Sequence, residues 1–127
     1  MPSKIFWTLN VQVSGGPKLS GSNTIEVDAY DMVEIAIPQG ETKEVMIQPD
    51  ELANIEFLLI KSDQYGDAGH RITYKVDGLE VVLDSLQVFI GNGAINLLQS
   101  KPDKITFINH LDNIDATVQI LVGRKAP

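Results

Sequence analysis

The chain contains no cysteine, which excludes disulfides, thiolate metal sites and cysteine nucleophiles. It has two histidines, His70 and His110, far apart in sequence, whereas zinc asks for three or four ligands. No stretch approaches the roughly 18 apolar residues of a membrane-spanning helix. The opening "MPSKIFWTLNVQV" lacks the apolar core of a signal peptide, because polar residues interrupt it at every second position. Basic residues are scarce between Glu26 and Glu56, where nine acids face Lys43 alone, and the whole chain carries a net charge of −7. A phosphate backbone would be repelled by that segment. Neither nucleic acid nor a membrane is expected as a partner, and the location expected is the cytoplasm or an assembled particle. The acidic segment reads as a solvated sheet face that keeps the protein soluble; the sharper alternative is a docking face for a basic partner.

Apolar residues make up 43% and charged residues 21% of 127 positions, a globular composition long enough for one well-buried domain spanning 1–127. Alternation with period two dominates. Ile5, Trp7, Leu9, Val11 and Val13 share one face, with Thr8, Asn10 and Gln12 on the other, and "GGPK" ends that strand. By parity Trp7 is expected in the core, as is Tyr74 beside Ile72 and Val76. Ile25, Val27 and Ala29 form a second set. Val33, Ile35 and Ile37, then "PQGE", then Val45 and Ile47 read as a hairpin. Asp77-Gly78 between two β-branched runs is the strongest hairpin signal, since a type I′ turn needs positive φ. "AINLLQSKP" allows one helical turn before Pro102. About ten short strands separated by turns every 8–12 residues predict an all-β, single-domain antiparallel β-sandwich, either jelly-roll or immunoglobulin-like.

"FLLI" (57–60) puts apolar groups on both faces, and "EVVLD" and "AINLL" add more apolar surface. A second copy covering that surface is the expected arrangement, so a homo-oligomer or another protein partner is anticipated.

Chemistry concentrates in "SDQYGDAGHR" (62–71). Asp63, Gln64, Tyr65, Asp67 and His70 are the candidate ligand- or partner-binding residues. A tyrosine beside amide and carboxylate groups can stack on a pyranose, so a glycan is a possible ligand and a small carbohydrate-binding module the alternative function. The opposing reading has Tyr65 folded back as a lid over the sandwich end. Two clusters could hold a cation: Asp63, Asp67 and His70, and His110, Asp112 and Asp115. Neither has EF-hand spacing, and Asp and Asn are also the ordinary turn formers. The loop therefore reads foremost as a turn. The sequence has no G-x-S-x-G, H-E-x-x-H or Walker loop, so no enzyme activity and no cofactor are expected.

In style, "KIFWTLNVQVSGG", "VEIAIPQGETK", "EFLLIKSDQYG" and "ITFINHLDNIDATVQILVG" together resemble small β-sandwich proteins of tailed-phage and phage-tail-like particles. That resemblance implies a structural or attachment role with no catalytic residues to carry over.

Overall fold

The computed structural model describes residues 2–47, 54–76, 78–98 and 104–125. The alternating segments become ten strands: β1 (Ser3–Gln12), β2 (Lys18–Val27), β3 (Ala29–Ile37), β4 (Thr42–Met46), β5 (Asn54–Ser62), β6 (Ile72–Val76), β7 (Leu79–Leu83), β8 (Gln87–Ile90), β9 (Lys104–Asn109) and β10 (Ala116–Lys125). Helix among the described residues is confined to α1 (Asn92–Ile95) and a 3₁₀ turn at Asn96–Leu98. No helix there is long and apolar enough to cross a membrane.

Eight strands form two four-stranded sheets, ordered β3-β10-β5-β8 and β4-β9-β6-β7. All pairings are antiparallel. The order follows from one long double strand wrapped on itself: β3 lies with β10, β4 with β9, β5 with β8 and β6 with β7, and wrapping adds β10·β5 and β9·β6. That is a jelly roll, which settles the choice between the two sandwich types left open by the sequence. Wrapping also overturns the expected β3–β4 hairpin. "PQGE" does turn, with the Glu41 amide donating to the Pro38 carbonyl at 3.0 Å, but it carries the chain from one sheet to the other. The Gly40 amide bonds to the Asn109 carbonyl instead of closing a ladder between β3 and β4. Among the described strands of the roll, only β6 and β7 are joined as an in-sheet hairpin; Gly78 has φ +85°, and Asp77 lies outside the described residues.

The two inner faces meet in one core containing Ile37, Leu58, Ile60, Tyr74, Phe107 and Ile120, all fully buried. Burying each aliphatic side chain of this kind contributes about 1.5–3 kcal/mol. Tyr74 belongs to the core as expected, with its ring 5.7 Å from that of Phe107 at 49°. Its hydroxyl donates to Gln87 Oε1 at 2.7 Å.

The first two strands lie outside this roll. Among the described strands they pair only with each other, Ser3 opposite Val27 through Gln12 opposite Lys18. The ribbon joins the body at its base, where Val27 is buried and Ile5 half-buried. Gly123 on β10 makes the joint possible: a Cβ there would lie 2.6 Å from Ile5 Cδ1 and 3.1 Å from Val27 Cγ1. A bulge between Gly123 and Arg124 bends β10 at the same point. The buried Arg124 guanidinium then ties β3 to the end of β4, bonding the Asp31 carboxylate and the Ile47 carbonyl. Trp7 therefore sits on a projecting arm, half-buried, and outside the core that its parity suggested.

Two surfaces expected to need a partner are covered in part by the chain itself. Leu58 and Ile60 of "FLLI" point into the core, and Phe57 on the other face is 4% exposed. Phe57 pairs with Gly123, so the arm's base shields it. In "AINLL", Ile95 and Leu98 are buried and Leu97 is exposed.

Candidate functional site

Strand direction places four connections at one end of the roll: residues 38–41, 63–71, 84–86 and 110–115. Asn109 holds this end together. It is fully buried, and its Nδ2 donates to the carbonyls of Ile37 and Ile114, each at 2.9 Å. Its Oδ1 accepts the Leu111 amide at 2.8 Å. One side chain thus satisfies backbone groups from two crossings.

Most candidate residues of the 62–71 stretch are engaged in shaping it. Asp63 Oδ1 accepts the Thr117 amide at 2.8 Å, while the Asp63 amide donates to the Thr117 carbonyl at 3.1 Å. Ser62 Oγ donates to the Gln64 carbonyl at 2.7 Å. Tyr65 is half-buried against the core, and its hydroxyl accepts the Ser62 amide at 3.2 Å. That is the lid arrangement, with the ring packed against the core and its hydroxyl engaged. Gly66 has φ +74°, and a Cβ there would run into the His70 carbonyl and the Leu111 side chain, so the loop closes this tightly only with glycine. The His70 amide donates to the Asp67 carbonyl at 2.9 Å, leaving the Asp67 and His70 side chains at the exposed tip.

In the neighbouring crossing, Asp115 Oδ1 accepts the Gln39 amide at 3.0 Å. Asn113 carries φ +56°, which Asn tolerates. Asp112 and His110 are exposed. Among the described residues no three His, Asp or Glu side chains converge closely enough to hold a metal ion. The structure instead brings together the ends of the two stretches: the His110 amide donates to the Arg71 carbonyl at 3.1 Å. Gly69, Arg71, Thr73, Val82 and His110 line a concave surface of about 360 Å³ there.

A second exposed feature lies on the arm. Cross-strand partners share a face, so Ile5/Ile25, Trp7/Asn23, Leu9/Gly21 and Val11/Leu19 line one side. Gly21 supplies no side chain opposite Leu9. A groove of about 310 Å³ opens between Trp7, Leu9, Val11 and Leu19. Leu9 and Val11 are each 49% exposed and Leu19 is 74% exposed. The sequence shows this apolar face, but only the arm's departure from the roll reveals that nothing among the described residues covers it. Asn109 and Arg124 had no sequence signal beyond being polar residues within apolar runs.

No protein-family model, curated protein or solved structure matches the chain.

Proposed function

We propose that the protein is a non-enzymatic structural or adaptor subunit that acts through protein–protein surfaces, with the β1–β2 arm as its contact element and a second copy of the chain as its partner. The observation that carries this reading is the uncovered apolar face of the arm. An isolated two-stranded ribbon is marginally stable in water, and a contiguous apolar face on it marks an interaction site. That face bears no charge; Lys4, Lys18 and Glu26 all lie on the opposite side. Two such faces can therefore meet without burying an ion. A patch on the order of 400 Å² supplies about half of the ~800 Å² per partner in a standard interface, so the association is weak, in the range of tens of micromolar. A place in a particle, where many weak contacts repeat, fits the style of sequence noted above.

The single tryptophan lies on this arm, so its emission reports the contact directly. The expected result is a concentration-dependent rise in sedimentation coefficient with a blue shift of Trp7 emission. Both should be lost in the double variant Leu9→Ser/Leu19→Ser. High salt should strengthen the association, because it screens the repulsion between two chains of net charge −7. A monomer with invariant emission up to hundreds of micromolar, well above the expected range, would remove the reading.

A further inference from the structure

If the arm contacts a second copy, some surface of that copy must receive it. The outer face of the β3-β10-β5-β8 sheet has the matching chemistry. Cross-strand partners share a face, so the ladder register lines up Met32, Leu121, Leu59 and Val88 as one row across all four strands. They point away from the core, because their neighbours Leu58, Ile60, Ile120 and Val122 are fully buried in it. Met32 is 57% exposed, and Leu121, Leu59 and Val88 remain partly exposed. The row carries no charge. On one side it is bounded by the polar row Glu34, Gln119 and Lys61. On the other lies the row Tyr30, Gly123, Phe57 and Ile90, which already holds an arm: Ile5 and Val27 of the same chain lie over Gly123. By register those two residues belong to the arm's apolar face. The chain thus contains, at the arm's base, one instance of this ribbon face packed on this sheet face.

The two surfaces also match in size and shape. Three strand spacings make the row about 14 Å long, and the four residue steps from Trp7 to Val11 make the bare part of the arm face about 14 Å as well. A ribbon laid across the strands has the orthogonal arrangement known for packed sheets. Shape favours this pairing over its two rivals. Two sheet faces are held apart, because Ile5 and Val27 stand over the Gly123 row. Two arm faces bring hollow to hollow, since Gly21 leaves a groove between Trp7, Val11 and Leu19. Met32 is a projecting, unbranched side chain of the kind that adapts to such a groove. With on the order of 400 Å² on each side, the contact falls in the small, transient class, in keeping with the weak association expected of the arm.

Resting on the arm's role as the contact element, we propose that the arm of one copy lies across the outer face of the β3-β10-β5-β8 sheet of a second copy, whose Met32 is seated in the hollow over Gly21. Donor and receiver are different surfaces of the chain. The contact is therefore heterologous, and one copy can give its arm while receiving another.

The test is sedimentation velocity with Trp7 emission on variants of the full chain, alone and mixed. The receiver variant Met32→Lys/Leu121→Thr leaves the arm intact, and the donor variant Leu9→Ser/Leu19→Ser leaves the sheet intact. Each alone should stay monomeric up to roughly several hundred micromolar. Mixed, they should form a 1:1 complex with a dissociation constant on the order of tens of micromolar, since each supplies the surface the other lacks. Val88→Lys, on the edge strand β8, is a second receiver variant in case the first loses its fold, and should weaken association by about tenfold, because it places a charge in an apolar contact. A Cβ at position 21 makes ordinary contact with the Trp7 ring at 3.6 Å, so Gly21→Val fills the hollow while keeping the arm apolar, and should weaken association by about fivefold or more. A donor variant that associates as the wild type does would remove the arm's role and this docking with it. With the donor variant monomeric, three results would each overturn the docking and leave the arm's role standing: receiver variants that associate as the wild type does, no complex in the mixture, or tighter association in Gly21→Val.

Discussion

The arm and the roll are built from the same kind of strand and solve the problem of burial in opposite ways. In β5 or β10 the alternating apolar residues face a second sheet, and Leu58, Ile60, Val118 and Ile120 are fully buried. In β1 and β2 the alternation is as regular, yet Leu9, Val11 and Leu19 remain about half exposed or more. Both are antiparallel ladders with a continuous run of paired residues, so pairing is not what separates them. The difference is the second layer. A strand's apolar face contributes stability only when another layer removes it from water, and among the described residues the arm receives such cover at its base, around Ile5, Val27 and Gly123. Stability should accordingly reside in the roll, and the arm should be the element whose substitutions alter association and leave folding nearly untouched.

The sharpest contrast should come from Asn109. Asn109→Ala leaves two carbonyls and one amide without their partner, and the expected loss is about 3 kcal/mol of unfolding free energy in urea. A loss below about 1 kcal/mol would mean that the loop end has other means of support. Gly123→Ala attacks the joint between the two regions. The added methyl meets Ile5 and Val27, and the expected cost is about 1–2 kcal/mol, accompanied by a change in Trp7 emission as the arm's base is displaced. A stability loss without a change at Trp7 would show that the arm and the roll are coupled less closely than the packing indicates.

Alkaline pH addresses the roll alone. Burial raises the Tyr74 phenol from 10.0 to about 12. The folded chain therefore keeps a proton that the unfolded chain releases, and the stability this contributes is intact below pH 10 and drains away as pH rises towards about 12. Absorbance titration should show one tyrosine ionising late, and Tyr74→Phe should abolish that phase. The double variant Leu9→Ser/Leu19→Ser, by contrast, should change monomer stability by no more than about 0.5 kcal/mol while abolishing association. A large destabilisation would place the arm's face inside the folding unit and erase the contrast. The smallest effect should be that of calcium: with no converging acids among the described residues, millimolar calcium or a chelator should leave the melting temperature unmoved, whereas a rise of several degrees would reveal a site by mass action.

Of the loop end, the sequence made the turn legible and its chemistry only in part. Gly66 and Gly69 take positive φ, at +74° and +90°, as residues chosen for a compact crossing should. Asp63 bonds an amide as well, but that of Thr117 on β10, far away in sequence, and not one of its own turn. The candidate list ended at His70, however, one residue short of Arg71, and included neither Thr73 nor the pairing of His110 with Arg71. Those residues become neighbours through the β6·β9 ladder, across a separation of 39 positions between 71 and 110, and no local pattern encodes that.

What the sequence determined by itself is local. Period-two alternation defined the strands, Gly and Pro the turns, the Asp77-Gly78 pair the β6–β7 hairpin, and the missing cysteines the reliance on packing alone. These follow from the preferences of single residues and their nearest neighbours, which act in any context. The tertiary structure decided which strand lies beside which, so that "PQGE" crosses between sheets instead of closing a hairpin, and Asn109 and Arg124 find carbonyls dozens of residues away. It also decided that Trp7, with the same parity as a core residue, stands on an arm. Alternation says that a strand has an apolar face; what covers that face depends on contacts between distant segments, and those exist only once the chain has wrapped.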